Sequence, residues 1–340
     1  MMQTSGAGLD CALKRLDTVV IGTSLEKGSD SVVEAGFELA HALHAAAYVV
    51  HAAPLEPLSP RFGAGWAESD YFREFTKLRW KEVRQQLERV PTPSDVRVKP
   101  LMRTDAPHLV VTGIAEEIGG DLIVVGASES THGIGRLLGS TAERVLRKAP
   151  CPTLVLRRFS RLPWKRVLVP VDLSMLSADS FRCGLSFLSQ AACGKCEIEA
   201  LLVLTDLQRQ ALNDFTTGDR VESFALRELT HFVEENTSDS SRAVGTRLRS
   251  GEPRTEILAE AEAWGAELIV IGTHGRSGLE RTLIGSVAAG VAARASSDVL
   301  VIPPETALGA SIAEAVLEQT EPRWEIPESQ PASAVKEVNS

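Results

Sequence analysis

This sequence lacks the apolar run of 18 or more residues that a membrane-crossing helix needs. Its first ten residues, Met1 to Asp10, are polar and carry no apolar stretch, so no secretory leader is expected. Cysteine is scarce: Cys11, Cys151, Cys183, Cys193 and Cys196 are the only five. An odd, low count in a chain of 340 residues excludes a disulfide scaffold and suits a reducing compartment, so the protein is expected in the cytoplasm. Cys193 and Cys196 have CxxC spacing, but no second ligand pair accompanies them and no helix starts there, which points to a structural or incidental role. Excess positive charge is also missing. The formal net charge is −9, which argues against broad binding to nucleic acid. Much of that excess lies in the tail from Pro304 to Ser340, where seven Glu face only Arg323 and Lys336. With its Pro, Ser and Ala, the tail reads as a solvated segment, its second half disordered, although Leu308, Ile312 and Val316 have helical spacing. Several catalytic signatures are absent too: the Walker A loop, the GxSxG elbow and the HExxH zinc helix. Gly133-x-Gly135 lacks the third glycine of a dinucleotide fingerprint.

What is present is a duplication. Asp121 to Thr141 (DLIVVGASESTHGIGRLLGST) matches Glu267 to Val287 (ELIVIGTHGRSGLERTLIGSV) at an offset of 146 residues without a gap. The same offset pairs Asp105-Ala-Pro107 with Gly251-Glu-Pro253, and Gly36 pairs with Gly184 at 148. The chain is therefore expected to divide into an extension (1–16), a first domain (17–158), a linker (159–165), a second domain (166–304) and an acidic tail (305–340).

Within the second copy, buried-strand runs alternate with helical patterns. Strands are expected at 167–171, 199–204, 242–249, 267–272 and 299–302. Helices are expected at 177–190, 220–235, 255–264 and 286–295, the second with Val221, Phe224, Leu229 and Phe232 on one side. Alternation of this kind gives an α/β fold, here two tandem doubly wound parallel five-stranded sheets, with ligands sought after the first and fourth strands.

After the fourth strand comes Gly272-Thr-His-Gly275, then nine residues, then Gly285-Ser286 at a helix start. Glycines let the backbone turn and approach a ligand closely, and the free N–H groups of a helix start suit an anion such as phosphate. This G-x2-G-x9-G-S pattern resembles the ATP-binding branch of the universal stress protein family. The supporting pieces are Val-Pro-Val-Asp172-Leu-Ser at the first strand end and Gly251-x-Pro253-x3-Ile257 before the third helix, and the resemblance runs from Asp17 to Pro303 as two copies.

The resemblance implies ATP, with Mg²⁺ or Mn²⁺ as the ion that could accompany it. Asp172 would contact the ribose or the metal, with Pro170 and Val171 shaping the adenine side. Gly272, His274, Gly275, Gly285, Ser286 and Val287 would line the ribose and triphosphate, and Ile271 would belong to the same nucleotide site. Family members usually carry Val at the end of strand two, where this chain has Leu204 and Thr205. The other role open to Asp172 is a cap on the first helix, a task that Ser174 and Ser177 also suit. Arg276 and Arg281 in the loop are either phosphate contacts or solvated charge.

The first copy departs from the pattern. Ser24 stands at the position of Asp172, Asp105 at Gly251 and Glu129 at Gly275. A carboxylate about 4 Å from one phosphate charge costs roughly 1 kcal/mol in water and more when partly buried. One nucleotide per chain, in the second half, is the expectation, although Gly133 and Gly135 leave a path for another ligand in the first. The family's dimers pair through the last strand of each unit, so 153–156 is expected beside 299–302, with a homodimer as a further possibility. The small, apolar helix at 286–294 is expected to be more enclosed than its charged counterpart at 141–148. Three functions fit: a nucleotide-binding stress or signalling protein acting through conformation or partner choice, with no classical enzyme activity beyond weak ATP hydrolysis or autophosphorylation; a nucleotidyl-transfer enzyme; or a scaffold that binds no nucleotide.

Overall fold

The computed structural model describes residues 15–26, 28–54, 70–127, 138–157, 162–191, 195–213, 219–237, 243–273 and 284–304. The first repeat runs β1 (Thr18–Thr23), α1 (Ser29–Leu43), β2 (Ala46–Ala52), α2 (Asp70–Arg89), β3 (Val98–Arg103), α3 (Pro107–Glu117), β4 (Leu122–Gly126), α4 (Ser140–Lys148) and β5 (Thr153–Leu156). The second runs β6 (Arg166–Val171), α5 (Met175–Gln190), β7 (Glu197–Leu204), α6 (Asp206–Asn213), α7 (Asp219–Thr237), β8 (Val244–Ser250), α8 (Pro253–Trp264), β9 (Leu268–Gly272), α9 (Ser286–Arg294) and β10 (Asp298–Ile302).

The strands form one sheet in the order β3-β2-β1-β4-β5-β10-β9-β6-β7-β8. Neighbours within each repeat are parallel. Only β5 and β10 meet antiparallel, with Val155 opposite Val299, Leu154 opposite Leu300 and Thr153 opposite Val301. Central strands such as Leu268-Ile-Val-Ile271 are buried on both faces, which is why they read as unbroken apolar runs rather than as alternation.

Two hydrophobic layers cover the sheet. One holds Val33 and Phe37 of α1, Phe181 and Leu188 of α5, and Leu229 of α7. The other holds Val111 and Ile114 of α3, Val145 of α4, Ile257 of α8, and Val291 and Ala292 of α9. The paired glycines set how closely α1 and α5 lie on the strands. A Cβ on Gly36 would come within 2.6 Å of Ile21 Cδ1, and one on Gly184 within 2.6 Å of Val270 Cγ1.

Three local readings change. Helix α6 was not expected at all. Phe224 is 39% exposed rather than part of the buried stripe of α7, whose inward residues are Val221, Ala225, Leu229, Phe232 and Val233; Arg227 lies over its ring instead, 6.0 Å from the centroid. The stripe turns one position because Ala225, too small to stand out in the pattern, takes the inward place. Helix α5 begins at Met175, two residues earlier than its apolar spacing implied, because Ser174 caps it. The asymmetry between the last helices matches expectation: Glu143, Arg144 and Arg147 of α4 are exposed, whereas Ala289, Gly290 and Ala293 of α9 are half-buried.

Candidate functional site

Strand β6 lies between β9 and β7, and the chain leaves β6 and β9 for opposite faces of the sheet, toward α5 and α9. Such a divergence opens a crevice beyond the carboxyl ends of the strands.

At the end of β6, Val171 is buried, and Pro170 and Asp172 are half-buried. The chain then turns through Leu173 at φ 63°. One carboxylate oxygen of Asp172 accepts the Ser174 N–H at 3.0 Å and the Ser174 hydroxyl at 2.6 Å. Ser174 Oγ in turn accepts the Ser177 N–H at 3.2 Å, and Ser177 Oγ accepts the Asp172 N–H at 3.2 Å. Capping of α5 thus falls to Ser174, while Asp172 braces the cap through Oδ1. The first repeat makes the same turn, with Leu25 at φ 65°, and Ser24 Oγ accepts the Glu26 N–H at 3.4 Å. The corner keeps its shape and loses its carboxylate.

At the end of β7, Thr205 opens α6 as a reciprocal capping pair. Its N–H and hydroxyl both donate to Gln208 Oε1 at 2.9 Å, and its oxygen accepts the Gln208 N–H at 3.3 Å. The Thr-x-x-Gln spacing of 205–208 is a capping signal for α6 that the reading by apolar periodicity passes over.

At the end of β9, Ile271 is buried and Gly272 half-buried. The Thr273 N–H donates to the Ile302 carbonyl at 2.9 Å. The Gly285 N–H donates to the Thr273 carbonyl at 2.6 Å, and a Cβ on Gly285 would sit 2.7 Å from that oxygen. Gly285 therefore lets α9 start directly over the end of β9. It caps α9 with no side chain, so the first-turn N–H groups receive no side-chain partner from it. Ser286 is exposed there and Val287 half-buried. Gly139 closes on Ala127 O at 2.6 Å in the same way. The two helix starts differ in charge, since α4 carries Glu143 in its first turn and α9 carries no acid there. His274, Gly275, Arg276, Arg281, Glu129, Gly133, Gly135, Cys193 and the tail segment 308–316 lie outside the described residues.

The first repeat fills the corresponding corner with its own side chains. Thr23 Oγ1 donates to Gln86 Oε1 at 2.9 Å, while Gln86 Nε2 donates to Ser29 Oγ at 3.0 Å and Asp30 Oδ1 at 2.7 Å. Arg89 clamps Asp30 at 2.6 and 2.8 Å, and its hydrogen bond holds that carboxyl below the usual carboxylate range. His51, paired with Thr23 in the sheet, donates from Nδ1 to the Thr23 carbonyl at 3.0 Å; its Nε2 is buried with no hydrogen-bond partner among the described residues. In the second repeat Leu202 pairs with Val171 at the equivalent place. The polar plug, joining residues up to 63 positions apart, gave no sequence signal.

No helix among the described residues is long and apolar enough to cross a membrane. Nor does any group of three or more His, Cys, Asp or Glu among them stand ready to hold a metal ion.

Comparison with known proteins decides the kinship, because the model of the universal stress protein family matches residues 15–157 and again 163–303. The chain belongs to the universal stress protein family. A universal stress protein of Mycobacterium tuberculosis is 29% identical over 187 residues, covering 53% of this chain and 60% of the relative. A universal stress protein A homolog of Coxiella burnetii is 34% identical over 143 residues, 41% of this chain and 93% of that one. The chain thus spans 60% of the length of the mycobacterial relative it matches. The crystal structure of a universal stress protein from Archaeoglobus fulgidus superposes with a TM-score of 0.61 at 20% identity, covering 85% of this chain and 99% of that one. At that identity the likeness is one of fold. This universal stress protein is a tandem of two such units, and the differences between its two corners distinguish them.

Proposed function

We propose that this universal stress protein binds one adenine nucleotide, ATP with Mg²⁺, in the crevice of its second repeat, and acts in a stress or signalling response through nucleotide-dependent conformation or partner choice. In this reading Pro170, Val171 and Thr205 border the adenine, Ile271 belongs to the same site, and Asp172 meets the ribose or the ion. Gly272, His274, Gly275, Gly285, Ser286 and Val287 surround the phosphates.

The observation that carries the reading is the close seat of Gly285 on the Thr273 carbonyl, 2.6 Å from nitrogen to oxygen. It brings the bare start of α9, with its outward N–H groups and positive dipole end, over the crevice between β6 and β9. The capless helix and the absence of an acid in its first turn suit a polyanion. The plug of Thr23, Ser29 and Gln86 supports a single site per chain, because fully buried Gln86 ties up the end of β1, the strand that matches β6. We assign the first repeat a structural role: β5, paired with β10, takes the place a second subunit's last strand would hold, and any homodimer then forms elsewhere. The domain limits 17–158 and 166–304, a cytoplasmic setting and the lack of classical enzyme activity belong to the same proposal.

Freshly purified protein, denatured and examined by mass spectrometry, should release adenine nucleotide at no more than one equivalent per chain. Gly275→Glu, which copies Glu129 of the first repeat, should abolish the release and leave the melting temperature of nucleotide-free protein unchanged. Two equivalents, or undiminished release from the variant, would reject the assignment.

A further inference from the structure

Helix α9 carries an arginine from its neighbour. Arg254, in the first turn of α8, crosses α9 at Gly290: a Cβ on Gly290 would overlap Arg254 Cδ and stand 3.4 Å from its Nε. The glycine is the vacancy in which the arginine stem lies. Residues three and four positions apart share one face of a helix, and Cα–Cβ bonds tilt toward its start, so the face of Gly290 continues to Val287 and Ser286. Which way the guanidinium points is indicated by Glu252, the cap of α8, whose carboxylate lies 3.8 Å from Arg254 Nε. Glu252 follows β8, and Ser286 follows β9, so both stand at the carboxyl edge of the sheet. The arginine is therefore drawn toward the end of α9 at which the phosphates are placed. Its side chain is 37% exposed and its contact with Glu252 is long, so it has donors to offer. The first repeat cannot do this, because the matching positions are His108 and Arg144. There Arg144 stands where the glycine gap would be, and its charge lowers the His108 pKa, second to desolvation.

We infer that Arg254, seated on Gly290, is a specificity residue that makes the second-repeat site select nucleoside di- and triphosphates over monophosphates. The inference rests on the nucleotide reading above. A guanidinium at this place would add charge-assisted hydrogen bonds to the outer phosphate oxygens, which a monophosphate lacks. Glu252, held below the usual carboxylate range mainly by the Thr255 hydroxyl, keeps its charge and repels any phosphate that Arg254 does not cover.

Calorimetric titration of the full chain with ATP, ADP and AMP tests this. Arg254→Gln should weaken ATP and ADP about tenfold and leave AMP within a factor of two, with Arg254→Lys in between. Gly290→Ala removes no charge and favours the helix, yet its new methyl displaces the arginine; it should weaken ATP as Arg254→Gln does. Thermal unfolding without nucleotide reports whether each variant is folded. If either variant weakens ATP and AMP alike, or neither changes ATP binding, the inference is overturned while the site reading stands. If the unaltered chain binds none of the three, both fall.

Discussion

His51 shows how one buried ring can make half of a molecule sensitive to acid. Its Nδ1 is fixed to the Thr23 carbonyl and its Nε2 is enclosed with no acceptor among the described residues, so a second proton would be buried away from water. Desolvation holds the imidazole below its ordinary value of 6.5, the bond to Thr23 and the charge of Glu82 opposing it and the charge of Arg79 assisting. The unfolded chain takes up a proton that the folded one refuses. Stability from this ring is therefore complete above about pH 6.5 and is lost as pH falls toward the folded value. Urea midpoints of the natural chain should drop between pH 7.5 and 5.5 by more than those of His51→Asn, whose amide keeps the donor and does not titrate. The exposed His41–Asp95 pair, 2.8 Å apart, is common to both proteins and cancels from the difference. Parallel pH profiles would remove His51 from the account.

At the scale of elements, the two repeats diverge where helices begin. Helix α5 is held by the ring of Asp172, Ser174 and Ser177, α6 by the Thr205–Gln208 box, and α8 by Glu252, which accepts from the Thr255 N–H at 2.8 Å. Helix α9, like α4 in the first repeat, starts without a side-chain cap, but it lacks the acid that α4 carries in its first turn. Because α6 has only eight residues, its order depends on that box more than a longer helix would. Thr205→Ala should remove about 1 kcal/mol of local stability and speed amide exchange across 206–213 about fivefold, with global melting nearly unchanged. Unaltered exchange would mean that packing, not capping, holds the helix.

Across the whole molecule, the joint between repeats is built on a buried carboxylate. Asp298, fully enclosed on β10, accepts the Arg157 N–H at 2.7 Å and the Trp164 indole N–H at 3.2 Å. The Arg157 guanidinium reaches the Ala292 carbonyl of α9. Trp164 is itself buried and packs against Phe187 with ring centroids 5.9 Å apart. The end of β5, the connecting segment and β10 are thereby fastened at one point beside the antiparallel seam. Trp164→Phe keeps the ring contact and deletes one donor to a buried charge, so it should cost about 1–3 kcal/mol in denaturant unfolding. A loss within error of zero would show that the seam's backbone pairing suffices.

The sequence by itself determined the duplication, the alternation of strands and helices and the positions of the glycine turns. These follow from short-range chemistry: apolar runs make central strands, and glycine and capping residues mark where helices start. Even the Thr205–Gln208 box was open to reading, being three residues apart. Phe224 was misplaced because spacing alone does not say which of two neighbouring helical positions turns inward. Only the tertiary structure decided that Gln86 and His51 close the first corner, that Arg254 lies in the gap left by Gly290, and that Asp298 fastens the joint. Those pairings link residues 28 to 141 positions apart. No local pattern carries them, because packing between elements, not the order of residues along the chain, brings such groups within hydrogen-bonding distance.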